Sequence, residues 1–255
     1  MPRLPVTGIE VELRPLSGRE EMFLMESGEN ATTTAVQLLA RLTPVRPEDF
    51  PITDLEALLL ELRRNTRGDL VHTVVRCTRP ECNALIDVEF RISALLDHHR
   101  PSAKGVNADA GRVGWFKLDA APDVSFRVPT AGDQVAVLDS PDPVRELIYR
   151  TIEPATLPAS TRRKVERAME KLAPSLSSTF HGVCPECSTE VEMEFDVASF
   201  VIAEMRQHAN FLFDDVHRLA FAYHWTEDSI LDMPSSRRAR YAESAAQYAI
   251  NAGLQ

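Results

Sequence analysis

The residues of this chain whose types and spacing could do chemistry are its four cysteines. Cys77 and Cys82 flank Thr-Arg-Pro-Glu, and Cys184 and Cys187 flank Pro-Glu. Two thiolates two to four residues apart can reach one ion from a tight turn at a strand end, and four thiolates close a tetrahedral zinc shell. These pairs use every cysteine in the sequence, so the expectation is one structural Zn2+ held by Cys77, Cys82, Cys184 and Cys187. A closed set of four thiolates leaves no position for the water that a catalytic zinc needs. Three other readings stand beside it. Two disulfides would need an oxidising compartment. A thioredoxin-like redox site would need its C-x-x-C at a helix start, whereas Cys187 leads into an alternating strand. Four free thiols would remain in a chain that has lost its metal.

The elements that must position these pairs form a diverged internal repeat. Ile9 to Arg14 alternates as a strand does, and Pro15-Leu16-Ser17-Gly18 then turns into a helix with Ser17 and Glu20 as a capping box. Val124 to Val128 repeats the strand, Pro129-Thr130-Ala131-Gly132 the turn, and Asp133-Gln134-Val135 the helix start. A second helix follows in each half. The first runs about Thr53 to Arg64, with Thr53 and Glu56 as a further capping box, Leu55, Leu58, Leu59 and Leu62 on one face, and Gly68 at its end. Its counterpart is Pro143 to Arg150 plus Ala159 to Leu172. Each half closes on a strand, a cysteine pair, an alternating strand and a helix start. In both, a phenylalanine lies eight residues beyond the second cysteine, Phe90 after Cys82 and Phe195 after Cys187. The expected fold is therefore α+β: duplicated strand–turn–helix–knuckle units joined by the four-cysteine site. The expected divisions are a first repeat at 1–97, a connecting segment at 98–122, a second repeat at 123–200 and a helical region at 201–255. The connecting segment reads as loop with a short strand at Trp115 to Leu118. In the helical region Leu212, Val216, Leu219 and Tyr223 recur at helical spacing, and Pro234-Ser235 marks a stop and restart.

Other candidate groups have simpler readings. Asp214 and Asp215, two residues before His217, suit the first turn of a helix, where carboxylates complement the dipole. His224 and Trp225 precede Thr226, an N-cap. His72 and His181 lie on strands before the cysteine pairs, and four thiolates make neither necessary as a ligand. His98 and His99 fall in loop sequence. There is no phosphate-binding, nucleophile-elbow, zinc-protease or dinucleotide motif, and nothing in the sequence argues for catalysis.

Composition limits the partners. An apolar fraction of 44% with 26% charged residues is that of a globular protein, and no run approaches the roughly 20 apolar residues of a membrane helix. The opening MPRLPVTGIEVELRPL lacks the apolar core of a secretory signal, so a cytoplasmic protein is expected. A formal charge of −10 argues against nucleic acid, which needs a basic face. The densest basic stretch, Arg162-Arg163-Lys164 with Arg167, lies beside Glu166 and Glu170 and reads as a solvated helix face; Arg237, Arg238 and Arg240 read the same way.

The order of features resembles the baseplate proteins, hub and assembly members included, of contractile-tailed phages and related contractile injection systems. The residues that carry the resemblance are RPLSGREE after the opening strand, the Leu-rich helix ending NTRGD, the paired knuckles, and the C-terminal DDVHRLAFAYHWTEDSILDMPSSRRARY. The resemblance implies non-enzymatic work, as a baseplate component or an assembly factor built in the cytoplasm and carried into the particle. Its implied partners are other baseplate, hub or spike proteins, with no nucleic acid and no membrane insertion. It implies a docking surface at His217, Tyr223, Trp225, Ile230, Arg237 and Tyr241, although helical apolar spacing serves a plain core equally well. Zinc-binding cysteines occur in some members, and the four-residue first spacer departs from the usual knuckle. A zinc-ribbon regulatory or nucleic-acid-associated module is the alternative and would show a basic strip. A metalloenzyme is a third reading and would show an open zinc position in a pocket of His or Glu.

Overall fold

The computed structural model describes residues 1–251. In chain order its first elements are α1 (Gly18–Glu26), α2 (Ala31–Leu42), α3 (Ile52–Arg67), β1 (Leu70–Arg76), β2 (Leu85–Arg91) and α4 (Ile92–His98). Then come β3 (Val106–Ala108), β4 (Phe116–Leu118), β5 (Ala121–Phe126), α5 (Ala131–Val137), α6 (Pro143–Thr151), β6 (Ile152–Glu153) and α7 (Ala159–Leu172). The last are β7 (Ser178–Val183), β8 (Glu190–Phe195), α8 (Val197–Ala209), α9 (Leu212–Tyr223), α10 (Glu227–Leu231) and α11 (Ser235–Asn251). Helices and antiparallel strands mix as the α+β expectation requires. No helix among the described residues is long and apolar enough to cross a membrane. The chain divides into two compact units, one of Met1–Val11 with Arg46–Ala198, the other of Glu12–Val45 with the chain from Ser199 onward.

The first unit holds the sheets. Its central helix α3 buries Leu55, Leu58, Leu59 and Leu62 as predicted, and Leu60 as well, so it is enclosed on more than one face. Gly68 ends it at φ 85°, a left-handed conformation that glycine adopts without a Cβ penalty. Thr53 and Glu56 do not form the predicted capping box. The helix starts earlier, at Ile52, with no side-chain cap, and the carbonyl of Pro51 accepts from Asp54 and Leu55 N–H. Thr53 Oγ1 instead donates to the carbonyl of Pro174, and Glu56 accepts from Leu176 N–H and Ser177 Oγ. The pair thus anchors the segment entering β7. Burial pushes the Glu56 carboxyl up, although these hydrogen bonds pull the other way.

Three antiparallel sheets follow. Strands β3, β4, β5 and β6 form a four-stranded meander in that order. Leu118, Val124, Phe126, Val128 and Ile152 of this region pack on Val165, Ala168 and Leu172 of α7. The stretch read as loop thus contributes β3, whose backbone is satisfied by pairing with β4 (Val106 with Leu118, Ala108 with Phe116). The other two sheets are hairpins, β1–β2 and β7–β8. The predicted opening strand at Ile9 to Arg14 is absent. Glu10 makes one isolated bridge to Arg3, Val11 N–H donates to Pro2, and Arg14 N–H donates to Leu42. No strand among the described residues runs alongside it, and alternation alone cannot satisfy a backbone.

The described residues of the second unit are helical apart from connecting loops. Ser17 caps α1 in the predicted box with Glu20. Arg14 reaches both Glu20 carboxylate oxygens, at 2.9 and 2.6 Å. Burial alone would raise that carboxyl, but hydrogen bonds from Arg14 and Ser17 outweigh it and hold the group below the usual range. A Cβ on Gly18 would lie 2.9 Å from Leu231 Cα, so only glycine lets α1 approach α10 this closely. Ser235 N–H donates to Leu16 O, and Arg19 pairs with Asp228 and Asp232. Inside, Arg238 is 3% exposed and binds Glu21 and Asp215, which makes it part of the core rather than the solvated basic face predicted. Replacing Arg238 with Met is expected to destabilise the protein by about 3–5 kcal/mol, since it leaves buried carboxylates without their cation. Urea unfolding followed by helical circular dichroism measures this, and a loss under about 1 kcal/mol would contradict the assignment.

Candidate metal centre

Each cysteine pair sits at the tip of a hairpin, and the two tips are built alike. β1 pairs with β2 from Leu70–Arg91 to Arg76–Leu85, and β7 with β8 from Ser178–Phe195 to Val183–Glu190. Beyond the last pair, Cys77 N–H donates to Ala84 O at 2.8 Å, and Cys184 N–H donates to Thr189 O at 2.9 Å. In both, the acceptor lies two residues past the second cysteine. The residue directly after that cysteine is left-handed in both, Asn83 at φ 47° and Ser188 at φ 57°. Asparagine tolerates this conformation better than most residues, and serine less well. The longer first spacer is taken up inside its own turn, where Cys82 and Asn83 N–H both donate to Arg79 O.

The hairpins meet through their inner faces. Phe90 lies 5.1 Å from both Phe180 and Phe195, edge-on to the latter. Val191, Val75, Ile86 and Ala84 pack with the cysteines. Period-two alternation puts these residues and the thiols on one side of each hairpin. His72 and His181 point to the other side. They pair with Asp87 at 3.8 Å and Glu192 at 3.3 Å, and all four side chains are more than half exposed. Neither histidine therefore joins the thiols.

All four sulfurs lie within 4.8 Å of one another. Cys77 Sγ is 3.7 Å from Cys187 Sγ, and Cys82 Sγ is 3.8 Å from Cys184 Sγ. A tetrahedron with about 2.3 Å zinc–sulfur bonds has edges of roughly 3.8 Å, so the donor set fits the ion in kind, number and spacing. The electrostatics point the same way. Thr189, by its hydroxyl and its N–H, favours the thiolate of Cys187 and draws it down to about 6. The backbone at Ala84 pulls Cys82 down, but burial and the neighbouring thiols outweigh it and push it up to about 12. Cys77 is raised too, burial and thiols again outweighing a backbone hydrogen bond, here at Arg79. One ionised thiol thus raises the cost of ionising its neighbours, and a divalent cation removes that cost.

The docking residues implied by the resemblance lie in the helical unit. Tyr223 stacks on Trp225 at 4.7 Å, and Tyr241 meets Trp225 edge-on at 5.1 Å. Ile230 is fully buried against Leu219 and Ala242, so it supports this platform from beneath. His217 and Arg237 are exposed. His224 closes α9 in a left-handed conformation, and Thr226 caps α10 as predicted. Phe213 and Phe221, on the same side of α9 as His217, are 55% and 78% exposed. The sequence reading passed over both. Their signal was an apolar residue four positions to either side of His217, off the buried stripe of Leu212 and Leu219.

The chain belongs to the family described as T4 bacteriophage base plate protein, whose model matches residues 1–171. The matched part carries RPLSGREE, NTRGD and the Cys77–Cys82 knuckle, and stops before Cys184 and before α8–α11. No curated protein and no solved structure matches the chain significantly.

An ion bound by this set displaces a proton from each thiol it finds protonated, and the raised Cys77 and Cys82 are protonated at neutral pH. Apparent Zn2+ affinity is therefore expected to rise by at least about two decades per pH unit between pH 6 and 8. Competition against a chromophoric chelator measures this, and a slope under about one decade per unit would speak against a thiolate shell.

Proposed function

We propose that the protein is a non-enzymatic structural component or assembly factor of the base plate of a contractile phage tail-like particle or injection system. One structural zinc ion on Cys77, Cys82, Cys184 and Cys187 joins two copies of one unit. The observation that carries this reading is the set of four sulfurs within 4.8 Å of one another, drawn from equivalent tips of two hairpins, in a chain of the base plate family.

The duplication has local support beyond the cysteines. Arg14, Ser17 and Glu20 form an arginine-clamped capping box, and Arg127, Thr130 and Asp133 form another with the same spacing. Burial would raise Asp133, but hydrogen bonds from Arg127 and Thr130 outweigh it and hold it low. The copies span 1–97 and 123–200, with 98–122 between them and a helical region at 201–255. In that region His217, Tyr223, Trp225, Arg237 and Tyr241, with Phe213 and Phe221 beside them, form the surface for other baseplate, hub or spike proteins. Ile230 holds it from within. The chain acts in cytoplasmic assembly and enters the particle. A formal charge of −10 disfavours nucleic acid as the partner.

Metal analysis tests the centre. Protein purified without chelators is expected to carry about one zinc per chain and to lose it when Cys184 and Cys187 are both changed to Ser. Metal-free wild-type protein would sink the proposal. For the surface, Phe221→Ser should leave the melting temperature unchanged, because the ring is exposed, and weaken co-purification with base plate proteins by roughly tenfold or more. Undiminished co-purification would remove this face of α9 from the interface.

A further inference from the structure

The apolar stripe of α6 runs off the edge of the fold. Val144, Ile148 and Thr151 share one face of this helix at helical spacing. Thr151 is 2% exposed, Ile148 is half-buried, and Val144 is 69% exposed. Two adjoining depressions, of about 370 and 570 Å³, meet at Arg145 and Tyr149. The smaller is walled by Val144, Ile148 and Leu157, with Arg145 and Arg162 beside them. We infer that this groove of the first unit is a second docking site. Its occupant is an acidic segment of another base plate protein, one apolar side chain flanked by carboxylates. The inference rests on the base plate reading for the partner, while the site rests on α6 and the segment leading into α7.

The charge distribution selects that occupant. The chain carries a formal charge of −10, yet between Pro143 and Leu172 seven cations stand against four carboxylates. The first turn of α7 contains no acidic residue. The carboxylates nearest the groove are already engaged. Asp142 caps α6 by accepting from Arg145 N–H at 3.1 Å, and Glu146 pairs with Arg150. Arg162 pairs with Glu166 at 3.5 Å with both side chains about half exposed. Solvent keeps such a contact weak, so an incoming carboxylate can compete for the guanidinium.

Arg145 makes no ion pair among the described residues. Its guanidinium lies 5.5 Å from the Tyr149 ring centroid and donates to Tyr149 Oη at 3.3 Å. A planar guanidinium held against a ring is presented in a fixed place, and its remaining donors match a carboxylate. The two halves of the groove then divide the recognition. Apolar surface at Val144 and Leu157 lets the partner's side chain leave water, which supplies affinity. The arginines supply orientation and the choice of partner. Phosphates would gain nothing from the apolar wall, and the charge of the whole chain opposes nucleic acid.

The test places a photo-crosslinking phenylalanine analogue at Thr156, which lines the groove and is exposed. The full-length protein is co-expressed with the other base plate proteins, and crosslinked peptides are read by mass spectrometry. The expected product joins Thr156 to one acidic segment of another base plate protein. Its yield should fall about tenfold in Arg145→Glu/Arg162→Glu protein and about threefold in Val144→Ser protein, which keeps every arginine. Melting temperatures should stay unchanged, since these side chains are exposed. Crosslinks to a neutral or basic segment, to a second copy of this chain, or to nothing would overturn the inference. So would a yield that neither variant lowers. Tighter binding of a labelled 12-nucleotide single strand than of the crosslinked segment made as a peptide, by fluorescence anisotropy, would assign the groove to nucleic acid and overturn it as well. A chain that never co-purifies with base plate proteins would sink both readings. One that co-purifies without the expected crosslink would sink this inference alone.

Discussion

A two-stranded hairpin is marginal in water because it has one apolar face and nothing of its own to cover it. The first unit carries two such hairpins, and each covers the other. The tip of each ends in thiols that ionise only at one another's expense. Apolar packing at the phenylalanine end holds the sheets together unaided. At the cysteine end the same approach sets four thiols within 4.8 Å of one another, and a divalent cation bound there would offset the cost of ionising them together. The hairpins would therefore gain more from an ion held at the thiols than their small apolar interface alone supplies.

The helical unit solves its own problem differently. Its ends of chain are drawn together by Gly18 against Leu231 and by Arg238 inside a pair of carboxylates. A buried ion pair is weak evidence of stability, because desolvation offsets much of the attraction. It does fix register. Arg238 reaches Glu21 of α1 and Asp215 of α9 at once, so α11 has little freedom to rotate against either helix. That matters for Tyr241, which lies three residues from Arg238 on α11 and completes the aromatic platform with Tyr223 and Trp225.

The sequence disclosed the centre well because its information is local. Cysteine spacing and strand alternation are encoded within a dozen residues of each pair, and the repeat of that pattern put Cys77, Cys82, Cys184 and Cys187 together in advance. Helix limits were legible where a cap or glycine marked them, as at Ser17, Thr226 and Gly68. Reading failed where the deciding partner lies far off in sequence. Glu56 has the spacing of a capping box with Thr53, yet its hydrogen bonds go to Leu176 and Ser177. Ile9 to Arg14 has the alternation of a strand and lacks a neighbour. Arg238 sits in a basic run and is buried, because Glu21, more than 200 residues earlier, requires it.

These failures bear on how the two units divide the work. In the cysteine-bearing unit the conspicuous residues face inward, and the outward sides of the hairpins carry ordinary polar contacts such as His181 with Glu192. In the helical unit the conspicuous residues face outward. Leu212 and Leu219 already fill the buried stripe of α9, so Phe213 and Phe221 have no role in that core. Exposed aromatics four residues either side of one histidine cost solubility and contribute nothing to folding. A chain that gathers four thiols between the hairpins of one unit and leaves bare phenylalanines on α9 of the other keeps one set of conspicuous side chains inside and the other on its surface.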